Sequence, residues 1–443
     1  MVNFKYRTAG LRIALYLQTE AEHNLNSFNR ALSYVKAAGA DLIVFPENCW
    51  TPFTEEIARV QMNEPGGINK IISKCGYFAQ RIKKPVLLNS VDGNGISFSI
   101  YVNPSPLKGE TQIKLYVKHL EAETSALDFL DYEKSINNIF QTISLKGKLL
   151  GITLGADCHD PLYARMYGLQ GIDVLLSCAK NEAHSCLDKY AQMRALENHC
   201  LSLVLATPSD EGKYEGFVYG CTNRGQSLAW HLLSQQEQKN GVPGGVYLFD
   251  CQSTEDSFPK YAASKQVVNA KQDLILKAGS SQSLLAQATQ LKAGLYLYEK
   301  ASKPVAIIQA DDISLLQAEQ YLPLIYAQEL QQYKSLRYII LCRQEKNAIS
   351  LAELKELLKL RALENHCAVI LEGAAECCAY QVTPAHTVQE LQNTEEGFAL
   401  DFSRMTGPAS IWKNKVSGDR IRCRASWRKG FQCLIQRAVA LAQ

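Results

Sequence analysis

One seven-residue string occurs twice in this chain. Arg194-Ala-Leu-Glu-Asn-His-Cys200 and Arg361-Ala-Leu-Glu-Asn-His-Cys367 are identical. Each copy closes a run with helical spacing and leads into an apolar, strand-like run, Leu201–Ala206 in one case and Ala368–Leu371 in the other. Identity of this length with matching flanks marks an internal repeat, so the same supersecondary unit must be built twice. Upstream, Pro304–Asp311 parallels Leu150–Asp157, and Arg337–Cys342 parallels Ile172–Cys178. The offset between copies grows from 154 to 167, which predicts an insertion of 13 residues around Leu315–Tyr333.

At 443 residues the chain has room for two or three domains, and 47% hydrophobic with 21% charged residues is ordinary globular usage. A net charge of +3 points to no polyanionic partner. Met1–Gly10 lacks the apolar core of a secretory signal, and no apolar run approaches the ~20 residues that span a bilayer. The 14 cysteines are scattered without a CxxC pair. They read as reduced, buried thiols of a cytoplasmic protein without a membrane partner.

The first half alternates strand and helix patterns. Leu11–Leu17 reads as a strand and His23–Ala38 as a helix, with Leu25, Phe28, Leu32 and Val35 on one face and Gly39 ending it. Asp41–Phe45 is a continuous apolar run, as in a strand buried on both faces, and it stops at Pro46-Glu47. A carboxylate there is either a solvated strand end or a group held in a dry site, where it could act as a general base. Pro85–Asn89, Ile96–Val102 and Thr111–Lys118 follow as strands, the last placing Lys118 at its end. Next to Glu47, that ammonium could stabilise an oxyanion; elsewhere it is a surface charge. Leu149–Leu154 is a strand that breaks at Gly155 and hands over to a helix near Leu162, the kind of elbow that can hold a nucleophile. Strands at Gly171–Leu176, Leu201–Ala206, Phe217–Thr222 and Gly245–Phe249 complete two sheets with helices outside.

These segments resemble the nitrilase superfamily of carbon–nitrogen hydrolases. Phe45-Pro46-Glu47 is similar to the motif that carries the family's general base, and Tyr116-Val117-Lys118 to the motif of its catalytic lysine. Gly151, Asp157 and Pro161 fit the nucleophile segment without gaps, and Arg165, Gly171-Ile172-Asp173, Arg194–Asn198 and Gly216–Gly225 match later motifs. The resemblance spans residues 8–250 and implies a four-layer α-β-β-α sandwich. It also implies that the nucleophilic cysteine position is Gly155, which has no side chain to attack with. Cys158 offers a cysteine only if the register slips by three, at the expense of Gly151, Pro161, Arg165 and Asp173. Cys158-His159-Asp160 is not a triad, because triad partners converge in space and not in sequence.

In the second half, the same alignment places Gln309 opposite Gly155, and no second counterpart of the Glu47 or Lys118 motifs precedes it. The expected organisation is a nitrilase-like domain over 1–255, a tail and linker over 256–294 and a degenerate half-nitrilase repeat over 295–443. The repeat should cover its sheet face on something else, giving either an intramolecular pseudo-dimer or a homodimer through the Arg194 and Arg361 helices. The basic run Trp412–Lys429 reads as a solvated strand and helix, so no nucleic-acid partner is expected. The leading functional reading is a pseudoenzyme that binds a small amide or carboxylate near Glu47, Lys118 and Asp157. The rival is an amidase that attacks with Cys158 or with a Glu47-activated water. No cofactor motif is present.

Overall fold

The computed structural model describes residues 2–3, 10–18, 25–62 apart from 48 and 50, 64–95, 97–104, 112–117, 140–159, 161–180, 187–208, 215–232, 245–251, 264–265, 273–277, 281–343 apart from 326, 331 and 334, 350–372, 377–383, 387–403 and 405. Lys118, Asp160 and the basic run 412–429 lie outside these. The chain divides into two compact units, Met1–Ser257 and Phe258–Gln443. Among the described residues no helix is long and apolar enough to cross a membrane.

The first unit opens with β1 (Val2–Asn3), β2 (Leu11–Leu17), α1 (Leu25–Ala38), β3 (Leu42–Val44), α2 (Thr54–Ala58), α3 (Gly67–Ile82), β4 (Val86–Val91), β5 (Ser97–Asn103) and β6 (Gln112–Val117). It continues with β7 (Ile143–Leu145), β8 (Lys148–Leu154), a 3₁₀ turn (Gly155–His159), α4 (Pro161–Gly168), β9 (Val174–Lys180), α5 (Leu187–Asn198), β10 (Leu201–Thr207), β11 (Phe217–Cys221), β12 (Ser227–Leu232) and β13 (Gly245–Cys251). Two sheets form, in the orders β1-β13-β2-β3-β4-β5-β6 and β12-β11-β10-β9-β8-β7.

Side-chain alternation along each strand assigns the layers. The facing sides of the two sheets meet in one core: Ile13 and Leu15 from β2, Leu150 and Ile152 from β8, Leu203 and Leu205 from β10. The opposite face of the first sheet packs Ala14, Tyr16 and Ile43 on Phe28 of α1 and Phe78 of α3. The opposite face of the second sheet packs Val204 and Ala206 on Leu187, Ala191 and Ala195 of α5. Helix, sheet, sheet, helix is therefore the layer order, a four-layer α-β-β-α sandwich. Two matched motif residues are structural staples in it. Asp173 accepts from the Leu149 N–H (2.9 Å) and the Lys148 ammonium (2.6 Å), and Arg165 donates to the Glu197 carbonyl (3.2 Å).

Gly151 lies flat under an aromatic ring. A Cβ there would come within 2.6 Å of Tyr167 Cγ, at the root of that side chain, where little can yield. Gly151→Ala is expected to cost about 1–3 kcal/mol through overpacking. Urea unfolding checks it, and a variant as stable as the parent would contradict this packing.

The second unit holds β14 (Ser264–Lys265), β15 (Leu274–Leu276), α6 (Ser281–Ala286), β16 (Thr289–Lys292), β17 (Leu295–Tyr298), β18 (Val305–Asp311), α7 (Asp312–Leu316), α8 (Ala318–Ile325), β19 (Arg337–Arg343), α9 (Leu351–Asn365), β20 (Ala368–Glu372), β21 (Cys377–Val382), β22 (Val388–Leu391), β23 (Asn393–Thr394) and β24 (Gly397–Leu400). Its main sheet runs β14-β22-β21-β20-β19-β18-β17-β16. The stretch from β22 to β17 has the same order as β12 to β7 of the first unit. The pairing senses match as well: β8, β9, β10 and β18, β19, β20 are parallel, and the flanking strands are antiparallel.

Strand register corrects the sequence alignment. Leu150, Val174 and Leu201 share one row of the first unit, as Ile307, Ile339 and Ala368 do in the second. The residue opposite Gly155 at the elbow is therefore Asp312, fully buried, and not Gln309, which lies inside β18. The Ala-Asp pairs at 156–157 and 310–311 are alike in text but not in register. The linker assignment is corrected too. Within 256–294, β15 pairs with β24, and Leu276 and Leu284 cover Val305, Ile307, Ile339 and Ile370 together with Phe398 and Leu400. The apolar face of this sheet is thus covered from within its own unit, by the small β15-β24-β23 sheet and α6.

The repeated string does the same work in both units. Arg194 makes two bonds to the Glu197 carboxylate (2.9 and 2.7 Å) and one to the His159 carbonyl in the turn after β8 (3.1 Å). Arg361 bonds Glu364 (2.7 Å) and the Leu315 carbonyl just after β18 (2.9 Å from Nε). Asn198 and Asn365 return to the arginine carbonyls at 2.9 and 3.0 Å. His199 and His366 take left-handed φ of 51° and 45°, which ends each helix. The N–H groups of Cys200 and Cys367 then close on the Ala195 and Ala362 carbonyls, both at 3.2 Å.

Candidate functional site

The sandwich gathers buried polar groups at the carboxyl ends of its parallel strands. Glu47 follows β3 directly and is only 5% exposed. Cys49, two residues on, donates its thiol hydrogen to Gln18 Oε1 at the end of β2 (2.7 Å). Asn89 on β4 donates through Nδ2 to the Phe45 carbonyl, so β4 holds the strand end from which Glu47 projects. Across the second sheet, the Thr153 and Ser177 hydroxyls bond each other at 2.8 Å.

Gly155 opens the 3₁₀ turn with φ of +50°, the left-handed region that glycine enters without a Cβ penalty. Asp157 and Cys158 follow it, 3% and 5% exposed. Cys158 packs with Ala179, Leu187, Ala191 and Phe217 in the layer between the second sheet and α5. Burial pushes its thiol up to about 12; the Asp157 and Glu47 charges raise it further, and hydrogen bonds from Thr153 and Ser177 act against them. Burial likewise pushes Cys178 up, with Cys158 and Glu47 adding to the rise and Asn89 opposing it. Glu47 therefore acts electrostatically on both thiols. His159 turns its ring toward Tyr190 (centroids 4.9 Å apart). Lys118 lies outside the described residues.

Burial keeps the Cys158 thiol protonated at pH 8, and the thiolate is the nucleophile. Alkylation of native Cys158 by iodoacetamide is expected to run at least about 100-fold slower than that of a free thiol. Peptide mapping checks this, and labelling of Cys158 at the free-thiol rate would contradict the assignment.

Sequence reading passed over a polar row on the first sheet. Asn89, Ser99 and Tyr116 stand directly opposite one another on β4, β5 and β6. All three are buried, and Asn89 Oδ1, Ser99 Oγ and Tyr116 Oη have no hydrogen-bond partner among the described residues. Burial, the largest cause, drives the Tyr116 hydroxyl far above its ordinary value, so it stays a proton donor. Single polar residues inside apolar strands were the available signal, at Asn89 in Val86-Leu-Leu-Asn89 above all. Buried, unsatisfied groups of this kind cost about 1–3 kcal/mol each unless water or a ligand meets them.

Solved structures similar to this chain include amidases. One is an amidase from Nesterenkonia sp., with 17% identity over 55% of this chain and 91% of that one and a TM-score of 0.41. A second is a double mutant of the amidase from Nesterenkonia sp. AN1 in complex with acrylamide, with 17% identity over 56% of this chain and 92% of that one and a TM-score of 0.40. A third is a mutant of the Nesterenkonia AN1 amidase from the nitrilase superfamily, at 16% identity, covering 55% and 92%, with a TM-score of 0.40. No protein-family model matches the chain. No curated protein matches it either.

Proposed function

We propose that the first unit is a carbon–nitrogen-hydrolase-like domain that has given up covalent cysteine chemistry and binds a small amide or carboxylate beside Glu47. The chain then works as a binding, scaffolding or regulatory protein. One observation carries the reading: the strand β8 ends on Gly155, and the thiol of the turn that follows, Cys158, is sealed under α5 and held protonated. The resemblance of Phe45-Pro46-Glu47 and Tyr116-Val117-Lys118 to the family's base and lysine motifs supports the location. The Asn89 Oδ1, Ser99 Oγ and Tyr116 Oη atoms, without hydrogen-bond partners among the described residues, support a polar ligand in the same layer. The second unit is proposed to be a copy of the second-sheet half of the fold, supported by the shared strand order and the seven shared residues.

The test pairs calorimetric titration of acetamide, propionamide and acetate with an ammonia-release assay on the parent, Glu47→Gln and Cys158→Ala. Binding to the parent, weakened at least about tenfold in Glu47→Gln, with no ammonia release, is the expected result. Release lost in Cys158→Ala would establish the amidase that attacks with that cysteine. Release lost in Glu47→Gln but kept in Cys158→Ala would establish a Glu47-activated water. Either form of release overturns the proposal, as does the absence of any binding.

A further inference from the structure

We propose that the groove between α1 and α3, on the outer face of the first sheet, binds a small organic monoanion: one carboxylate joined by a short link to a single aromatic ring or a branched chain of similar size. The groove encloses about 230 Å³. Its lining is mixed: Leu32, Pro52 and the edges of the nearly buried Phe28, Phe78 and Ile82 are apolar, Asn29 and Ser33 are polar, and the rim carries Lys36 and Arg81. Among the described residues no acidic side chain lines it.

Each part of the ligand follows from these groups. A cavity of about 150 Å³ lined by apolar side chains accepts benzene, so this one has room for a ring and a short polar extension. Phe28 and Phe78 pack on each other with centroids 5.5 Å apart and show only their edges to the groove, where an aromatic edge or a branched chain would meet them beside Leu32. Lys36 and Arg81 are both exposed, and neither side chain has an ion-pair or hydrogen-bond partner among the described residues. Both stand in the last turns of their helices, where a cation complements the helix end. That role does not require the two to flank one cavity, as these do. An inorganic anion would leave the apolar floor unused. A metal ion would find no anionic ligand. A polyanion would not fit a pocket of this size, and the chain's net charge of +3 gives it no wider attraction.

The floor also leads inward. Phe28 stacks on Phe45 at 5.9 Å, and Phe45 is two residues before Glu47. An occupant would therefore press on the strand end that carries the buried carboxylate. The binding itself does not depend on what Glu47 does.

The experiment uses the full chain and ligand-observed NMR with phenylacetate, benzyl alcohol and inorganic phosphate. Phenylacetate is expected to bind at least about tenfold more tightly than benzyl alcohol, with no binding of phosphate. Arg81→Gln and Lys36→Gln should each weaken phenylacetate at least about fivefold, and Ser33→Trp, which fills the groove from its exposed rim, should abolish it. Equal affinity for the alcohol, binding unchanged by either glutamine variant, or no binding of phenylacetate at about 10 mM would overturn the proposal.

Discussion

Raising the pH from about 8 to about 10.5, with reductant present, is expected to unfold the first unit cooperatively, with a midpoint near pH 10. Burial holds the thiols of Cys75, Cys158 and Cys200 at about 12, and those of Cys178, Cys221 and Cys251 are pushed up as well. An unfolded thiol ionises near 8.5. The folded state binds these protons more tightly than the unfolded state, so their contribution to stability is complete below about 8.5 and is lost as pH rises toward the folded values. In that window each thiol costs about 1.4 kcal/mol per pH unit, whatever its folded value, as long as that value lies higher. Six thiols reach roughly 12 kcal/mol by pH 10, which matches the whole stability of an ordinary domain. Circular dichroism against pH measures the midpoint. Replacing Cys75 and Cys200 by alanine should move it upward, and a parent chain still folded at about pH 11.5 would refute the argument.

Glu197→Ala is expected to destabilise the first unit by about 3–5 kcal/mol, and Glu364→Ala the second unit by a similar amount. Arg194 and Glu197 are 1% and 0% exposed at their side chains, and Arg361 and Glu364 are 0% and 5% exposed. Removing the carboxylate takes a buried counter-charge from the guanidinium, which costs more than the pair contributes net. Each arginine also holds the turn after the elbow strand, through His159 or Leu315. Hydrogen exchange should therefore quicken in β8–β10 for the first variant and in β18–β20 for the second. A loss under about 1 kcal/mol, or exchange that quickens in the wrong unit, would show that the string is repeated for another reason.

The layers were legible because burial on both faces leaves continuous apolar runs. Leu11–Leu17 and Leu201–Ala206 could hardly be anything but central strands, and both are. Gly39, with φ of +69°, ends α1 as its position predicts. Register was not legible. The likeness of Ala156-Asp157 to Ala310-Asp311 drew the alignment three residues off, because only hydrogen bonding between strands reveals that Asp312 and not Gln309 meets the elbow. Polar content misled the linker assignment, since Leu274, Leu276 and Leu284 are few among serines and glutamines yet supply the cover of a sheet. The position of Glu47 at the end of a buried strand was legible, because the apolar run Asp41–Phe45 stops at Pro46 and the carboxylate follows it. The row of Asn89, Ser99 and Tyr116 was not, because it exists only once three strands lie side by side. The burial of Cys158 depends on α5, which arrives some thirty residues later.

The second unit's sheet has its own lid of β15, β24 and α6. In the first unit the equivalent face is closed by the strands that lead to Glu47 and toward Lys118. A sheet covered in this way buries its apolar face with residues of its own unit. The two units agree in how they pack this helix, in the arginine, the asparagine, the left-handed histidine and the buried cysteine, and differ at the elbow.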